Sequence, residues 1–361
     1  MRPILVRDLA LEQWPSMDRY GEALATRIPG ALVPDWTIQG PRDLTRYWTY
    51  PRTLRRWRSR GDLVHVLDHS YAHCLRAFPG LPSVVTVHDL LPLRLLAEDH
   101  RTLRMRIRDR MLRWVLDWLE RAGRFIVSTE WTARELERYL EIPADRVDIV
   151  PYGVDPHFFA RPDEAMIAAR RSAWAGRTGT SSDLARVILH VGSCAPRKNV
   201  EAAIEALGRL RAQGVGAILA QIGGSFEPRQ EAALDAAGVR RFVVQERRVT
   251  EPELVASYYA ADALVMPSTF EGFGLPAVEA MAAGLPVVTS GAGGLREAVA
   301  DAALVTRAID SATLADALAA VLEDPVCRAD LIARGKRRAS ELTWERTAAS
   351  TMAVYRSVLA Q

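Results

Sequence analysis

The chain has 361 residues, 49% of them hydrophobic and 25% charged, with a formal net charge of +3. These proportions belong to a folded globular protein and exclude a disordered or fibrous one, and the near balance of charge excludes a chain-wide polyanion binder, so no nucleic-acid partner is expected. At roughly 150 residues per domain, the length asks for two domains, each able to bury its own core.

In chain order, Met1 to Gly30 carries acidic residues and no continuous apolar stretch, and no later segment approaches the ~18 apolar residues of a bilayer span. Cys74, Cys194 and Cys327 are far apart, which suits neither a disulfide framework nor a zinc site and points to a reducing compartment. The expected location is cytoplasmic, with contact at the inner face of the cell membrane open. Arg42 to Arg60 and Arg101 to Arg124 are crowded with arginine. Tyr47, Trp48, Tyr50 and Trp57 are interleaved with the first cluster, and the second reads as an amphipathic helix with Leu103, Met105, Ile107, Met111, Leu112, Trp114, Val115 and Leu119 as its apolar set. Such segments either lie on an anionic leaflet or turn an arginine face to solvent over a core helix.

Strands are predicted at Leu63–Leu67, Ser83–Val87, Phe125–Ser128 and Val147–Val150, then at Val187–Val191, Ala217–Ile222, Phe242–Gln245, Ala263–Met266 and Pro286–Thr289. Longer helical patterns separate them, the rhythm of βαβ units. The expected fold is α/β, with two doubly wound Rossmann-like domains facing a central cleft. A proline-containing start, a short helical pattern through Met166–Trp174 and then small, turn-forming residues ending near Asp183 read as a linker over about 156–183. Residues 1–180 then form an acceptor-side domain and 181–345 a donor-binding domain, with 346–361 a C-terminal helix free to cross back to the first.

Ligands of open parallel sheets bind beyond the carboxyl ends of strands. After Val187–Val191 comes Gly192-Ser193-Cys194-Ala195-Pro196-Arg197-Lys198-Asn199, where small residues and two cations precede a helix and can hold a diphosphate. Alone, Arg197 and Lys198 are equally well a solvated pair, with Asn199 a helix cap. After Ala263–Met266 comes Pro267 to Pro276, whose Gly272 and Gly274 allow a second anion cradle between Glu271 and Glu279. A carboxylate beside a phosphate site needs ligand hydroxyls to donate to it, and sugars supply them. Taken singly, Glu279 is a helix-dipole partner and Glu271 an exposed loop acid. Thr289 to Gly294 reads as a tight strand-to-helix connection.

From Val191 to Asn199 and from Tyr258 through the Glu271-x7-Glu279 segment to Glu297, the chain resembles the family-4 retaining glycosyltransferases of GT-B fold, the "group 1" type. The resemblance implies a hexosyltransferase-type enzyme (EC 2.4) that moves a sugar from GDP-mannose or a UDP-sugar to an acceptor hydroxyl in polysaccharide, glycolipid or other glycoconjugate synthesis. It implies that Arg197 and Lys198 neutralise the donor diphosphate in place of a metal, so that no cofactor is needed. By the same resemblance Glu279 binds the ribose, Glu271 the donor sugar, and Gly192, Ser193, Phe273, Gly274 and Leu275 line the donor site. His88, after the strand Ser83–Val87, falls beside the donor sugar; read alone it is a satisfied buried histidine.

Asp68 and His69 follow Leu63–Leu67 in the same manner and are weaker acceptor-side candidates. Where many relatives carry a paired-glycine loop, this chain has Pro15 to Gly21, which makes Arg19, Tyr20 and Gly21 the acceptor-side candidates there. Rival readings are a GT-B-like epimerase or phosphorylase and a non-catalytic sugar-nucleotide-binding protein.

Overall fold

A computed structural model describes residues 1–91, 103–181 and 185–360, with side chains left out at 103–109. It divides into two compact units, Met1–Gly153 with Trp344–Gln361, and Val154–Thr343.

The first unit is built on a parallel sheet of β1 (Pro3–Val6), β2 (Leu63–Val66), β3 (Ser83–Val87), β4 (Arg124–Val127) and β5 (Val147–Ile149), side by side in that order. Leu32 pairs with Ile4 on the free side of β1. The chain therefore leaves β1 in one direction and returns to pair β2 on its other side, so the winding reverses between β1 and β2. Strand β1 escaped the sequence reading, although Ile4, Leu5 and Val6 are a wholly buried β-branched and leucine run. Helix Leu103–Leu119 buries Val115, Leu116 and Leu119 in this core, while Leu112, Trp114 and Trp118 pack at its margin. From residue 110 onward that helix is a core element; the expected apolar positions Leu103, Met105 and Ile107 lie outside the described side chains.

The C-terminal helix Trp344–Leu359 belongs to this unit. Buried Tyr355 meets His65 Nδ1 at 2.6 Å, His65 Nε2 meets Thr86 Oγ1 at 2.7 Å, and Thr86 meets Tyr20 Oη at 2.9 Å. Burial pushes His65 down to about 3, so the ring is neutral and joins the chain as one donor and one acceptor.

The second unit has the parallel order β11-β10-β9-β6-β7-β8, with β6 Arg186–Val191, β7 Ala217–Ile222, β8 Val243–Glu246, β9 Ala263–Met266, β10 Val287–Thr289 and β11 Leu304–Val305. This is the doubly wound arrangement with its reversal between β6 and β9, and the loops after those two strands carry the chemistry. The segment expected as a linker is largely helix, Glu164–Thr178, packed into this unit. Trp174 is fully buried, Arg171 reaches Asp262 at 2.9 Å and Arg170 Nε donates to Ser257 at 3.1 Å. The helical pattern expected through Met166–Trp174 is part of this longer helix, which runs into the turn-forming residues at 176–178 and is fastened by arginines. The unit boundary accordingly falls at residue 153.

Candidate functional site

At the switch point of the second unit, Gly192 extends β6 with φ +150°, and a Cβ there would sit 3.4 Å from the Lys198 side chain. Gly223 and Gly224, beyond β7, let the same loop pass close: a Cβ on Gly223 would stand 2.9 Å from the Gly192 carbonyl oxygen. This glycine pair was not singled out in the sequence, although its place after a strand is the available signal. The loop then turns through Pro196–Lys198 and into a left-handed Asn199 (φ 49°), from which helix Val200–Ala212 starts. Asn199 makes no side-chain cap; its amide donates instead to the Pro267 carbonyl at 3.3 Å, and Thr269 N donates to the Arg197 carbonyl at 2.7 Å. The loops after β6 and β9 are thus joined.

Lys198 is not a solvated cation. Buried to 8% exposure, it donates through Nζ to Glu271 Oε1 at 2.5 Å, and Arg197 Nη1 reaches Glu271 Oε2 at 3.3 Å. Ser268 Oγ adds a hydrogen bond to Oε1 at 2.7 Å. Burial pushes the Glu271 carboxyl upward, but the charges of Lys198 and Arg197 and the two hydrogen bonds outweigh it, and the group is held below its ordinary value. His190, beneath this loop, is pushed down to about 3 by burial and by Lys198, so it adds no further positive charge. The carboxylate of Glu271 is therefore an ionised, buried acceptor, not an exposed loop acid.

The loop after β10 shapes the same point. Gly293 has φ +63°, its Cβ would lie 2.4 Å from the Glu271 carbonyl oxygen, and Gly294 N donates to that oxygen at 2.9 Å. Only glycine lets this backbone approach so closely. Gly274 (φ +97°) precedes helix Leu275–Ala282, with Phe273 buried and Leu275 half-buried at its start. Glu279 is the fifth residue of that helix and buried to 4%. Tyr258, fully buried on helix Glu251–Ala260, donates to Glu279 Oε2 at 2.7 Å. A carboxylate held this way is not a helix-dipole partner. Ser193 lies exposed at the rim. Tyr258 and Ser268 are site residues that sequence reasoning did not single out, although Ser268 lies in the loop Pro267 to Pro276 that it marked.

In the first unit, His88 follows β3, with Nε2 against the Leu67 carbonyl at 2.8 Å and Nδ1 against Tyr152 Oη. The carbonyl must receive a proton, so Nε2 donates and Nδ1 accepts from tyrosine, leaving no ring N–H spare. Tyr20 and Gly21 lie on helix Pro15–Arg27, not on a loop. Tyr20 is buried on Thr86, and Gly21 makes room for the Arg7 side chain, whose Nε would be 2.7 Å from a Cβ there. Arg19 is half-buried on the same helix. With β1 in place, the loop beyond the first strand is Arg7–Trp14 and not Pro15–Gly21. Asp68 is buried beyond β2, accepting from Ser70 N at 2.6 Å with His69 Nδ1 at 3.8 Å and His88 Nε2 at 3.9 Å.

Among the described residues, no group of three metal-ligating side chains converges, and no helix is long and apolar enough to cross a membrane.

Residues 179–338 match the model of the family described as "Glycosyl transferases group 1", and residues 14–158 that of "Glycosyltransferase Family 4". The chain is 30% identical to the D-inositol 3-phosphate glycosyltransferase of an Arthrobacter strain over 78% of its own length, spanning 66% of that relative. It is also 30% identical to the MMP alpha-(1->4)-mannosyltransferase of Mycolicibacterium hassiacum, over 97% of this chain and 86% of that one. HepE of Anabaena, solved in complex with UDP and glucose, superposes with a TM-score of 0.78 at 18% identity, over 98% of this chain and 100% of that one. That likeness establishes the GT-B fold.

Proposed function

We propose, since this chain belongs to the group 1 glycosyl transferases of glycosyltransferase family 4, that it transfers a hexose from a nucleoside diphosphate to an acceptor hydroxyl with retention at the anomeric carbon. The observation that carries the reading is the set of buried Lys198, Glu271 and Ser268 with half-buried Arg197, together with the Tyr258–Glu279 pair, gathered at a topological switch point. Two cations suit a diphosphate, and two buried carboxylates suit the hydroxyls on either side of it. The mannosyltransferase relative and the UDP-bound HepE favour GDP-mannose or a UDP-hexose as donor.

In this reading the bond between the anomeric carbon and the diphosphate breaks and its electron pair leaves with the diphosphate. Lys198 and Arg197 stabilise the charge that develops. The acceptor oxygen bonds to the same face of that carbon, and its proton passes to the departing diphosphate. Glu271 positions the sugar and Glu279 the ribose, and much of the rate comes from that positioning. The acceptor belongs to a growing polysaccharide, glycolipid or other glycoconjugate. Contact with an anionic membrane fits the first unit, where Arg52, Arg55, Arg56, Arg58 and Arg60 are exposed beside Trp48, and Arg55, Arg56 and Arg58 line a hollow of about 390 Å³.

The test is release of nucleoside diphosphate from UDP-glucose and GDP-mannose with a panel of sugar and lipid-linked acceptors, with and without EDTA, and NMR of the product's anomeric configuration. Retained configuration and unchanged rate in EDTA are expected. Inverted product, or activity abolished by EDTA and restored by a divalent ion, would overturn the corresponding part of the reading.

A further inference from the structure

Beneath the strand ends of the second unit lies a fully buried amide, Gln221 on β7, level with His190 on β6 and Gln245 on β8 in the parallel register. Its Nε2 donates to the Gly192 carbonyl at 2.8 Å and to the Gly223 carbonyl, and its Oε1 accepts from Gln245 Nε2 at 3.3 Å. An atom that faces two carbonyls must be the amide nitrogen, so chemistry settles the orientation of this side chain. One amide thus holds the first residue beyond β6 and the first beyond β7.

In a planar trans peptide the N–H points opposite to the C=O. With the Gly192 and Gly223 carbonyls turned onto Gln221, the N–H groups of Ser193 and Gly224 turn away from it. Gly192 and Gly223 spend their own N–H groups on the Ile222 and Glu246 carbonyls, both at 2.8 Å. Among the described residues, the N–H groups of Ser193 and Gly224 meet no acceptor, and both residues are exposed. The two loops touch, since a Cβ on Gly224 would stand 3.1 Å from Cys194 N and 3.2 Å from Ser193 Cα. Two neighbouring unpaired N–H groups, one of them in the loop that carries Arg197 and Lys198, suit a ligand atom that only accepts. Resting on the transferase reading, we propose that the Ser193 and Gly224 N–H groups form a cradle for one phosphate oxygen of the donor, and that Gln221 is the residue that positions it.

The experiment is amide NMR on the full chain labelled at glycine and serine nitrogen, with uridine, guanosine, UDP, GDP and inorganic pyrophosphate as probes. The two signals are assigned by their loss from Ser193→Ala and Gly224→Ala samples. Both amide protons are expected to move downfield with the nucleoside diphosphate that binds, the signature of a hydrogen bond to phosphate, and to stay in place with the nucleosides. Titration calorimetry then compares wild type with Gln221→Met, since methionine matches the length of glutamine without its N–H groups. Affinity for that diphosphate is expected to fall about ten-fold, the loss of a hydrogen bond to a charged group, and the downfield shift is expected to vanish. A residue that only knits the strands together would lower stability and leave both readouts unchanged. If Gln221→Met does not fold, the wild-type spectra decide alone. Amides unmoved by a bound diphosphate, or a folded Gln221→Met that binds it with wild-type affinity, overturns the proposal and leaves the donor reading standing. Pyrophosphate that moves both amides when neither UDP nor GDP binds would sink the donor reading and spare the cradle, and no response to any phosphate overturns both.

Discussion

Replacing Lys198 with alanine removes the centre of the donor-side charge set. The ammonium lies 2.5 Å from Glu271 and is largely buried. Breaking a buried pair by deleting one partner destabilises by about 3–5 kcal/mol, because the other charge is left behind. Here Glu271 keeps Ser268 at 2.7 Å and Arg197 at 3.3 Å, which places the loss near the lower end, about 3 kcal/mol. For a unit of this size that is a fall in Tm of roughly 6–12 °C. The sign of its pH dependence follows from Glu271, whose folded value lies below the ordinary 4.5. The contribution is present in full above pH 4.5 and is lost as pH falls through the folded value, so the gap between wild type and variant should narrow in acid. In catalysis, loss of one charge-stabilising donor should lower kcat by about 10²–10³ at saturating donor. Steady-state release of nucleoside diphosphate, on samples shown to be folded by circular dichroism at the assay temperature, measures this. An unchanged kcat with a raised donor KM would show that Lys198 binds the ground state and the transition state equally and would refute the charge-stabilising role.

Tyr258→Phe deletes the hydroxyl that orients Glu279 and, acting on the donor only through that carboxylate, should raise donor KM about five-fold with little change in kcat, as read from initial rates. Gly293→Ala forces a left-handed backbone on alanine and a Cβ into the Glu271 carbonyl; denaturant titration should show a loss above about 2 kcal/mol, with activity falling further than stability alone explains. Tyr355→Phe strands His65 Nδ1 at the C-terminal helix and should lower stability by about 1–3 kcal/mol without altering nucleotide affinity, measured by thermal melting and titration calorimetry.

The second unit was the more legible because its chemistry sits where strand ends and glycines announce it. The Glu271-x7-Glu279 spacing spans a turn and a helix start, and parallel strands rich in valine and alanine mark the scaffold. What periodicity does not show is polar fixation. Tyr258 reads as a core aromatic, and only the folded helix reveals its hydroxyl on Glu279. Arg170 and Arg171 carry no motif in the sequence, yet they fasten the expected linker segment to the second unit. In the first unit one missed strand of four residues moved the loop assignment by a whole element. With β1 recognised, Arg7 and Asp8 become the residues beyond the first strand, and Tyr20 and Gly21 pass into the helix behind them.

Titration calorimetry of UDP, GDP and their hexose conjugates against wild type and Glu279→Ala tests the central claim most directly. The account predicts that one nucleotide series binds and that the variant loses at least about ten-fold in affinity, as expected for a hydrogen bond to a charged group. Binding of the same series with equal affinity in the variant would contradict the placement of the donor site around Glu279.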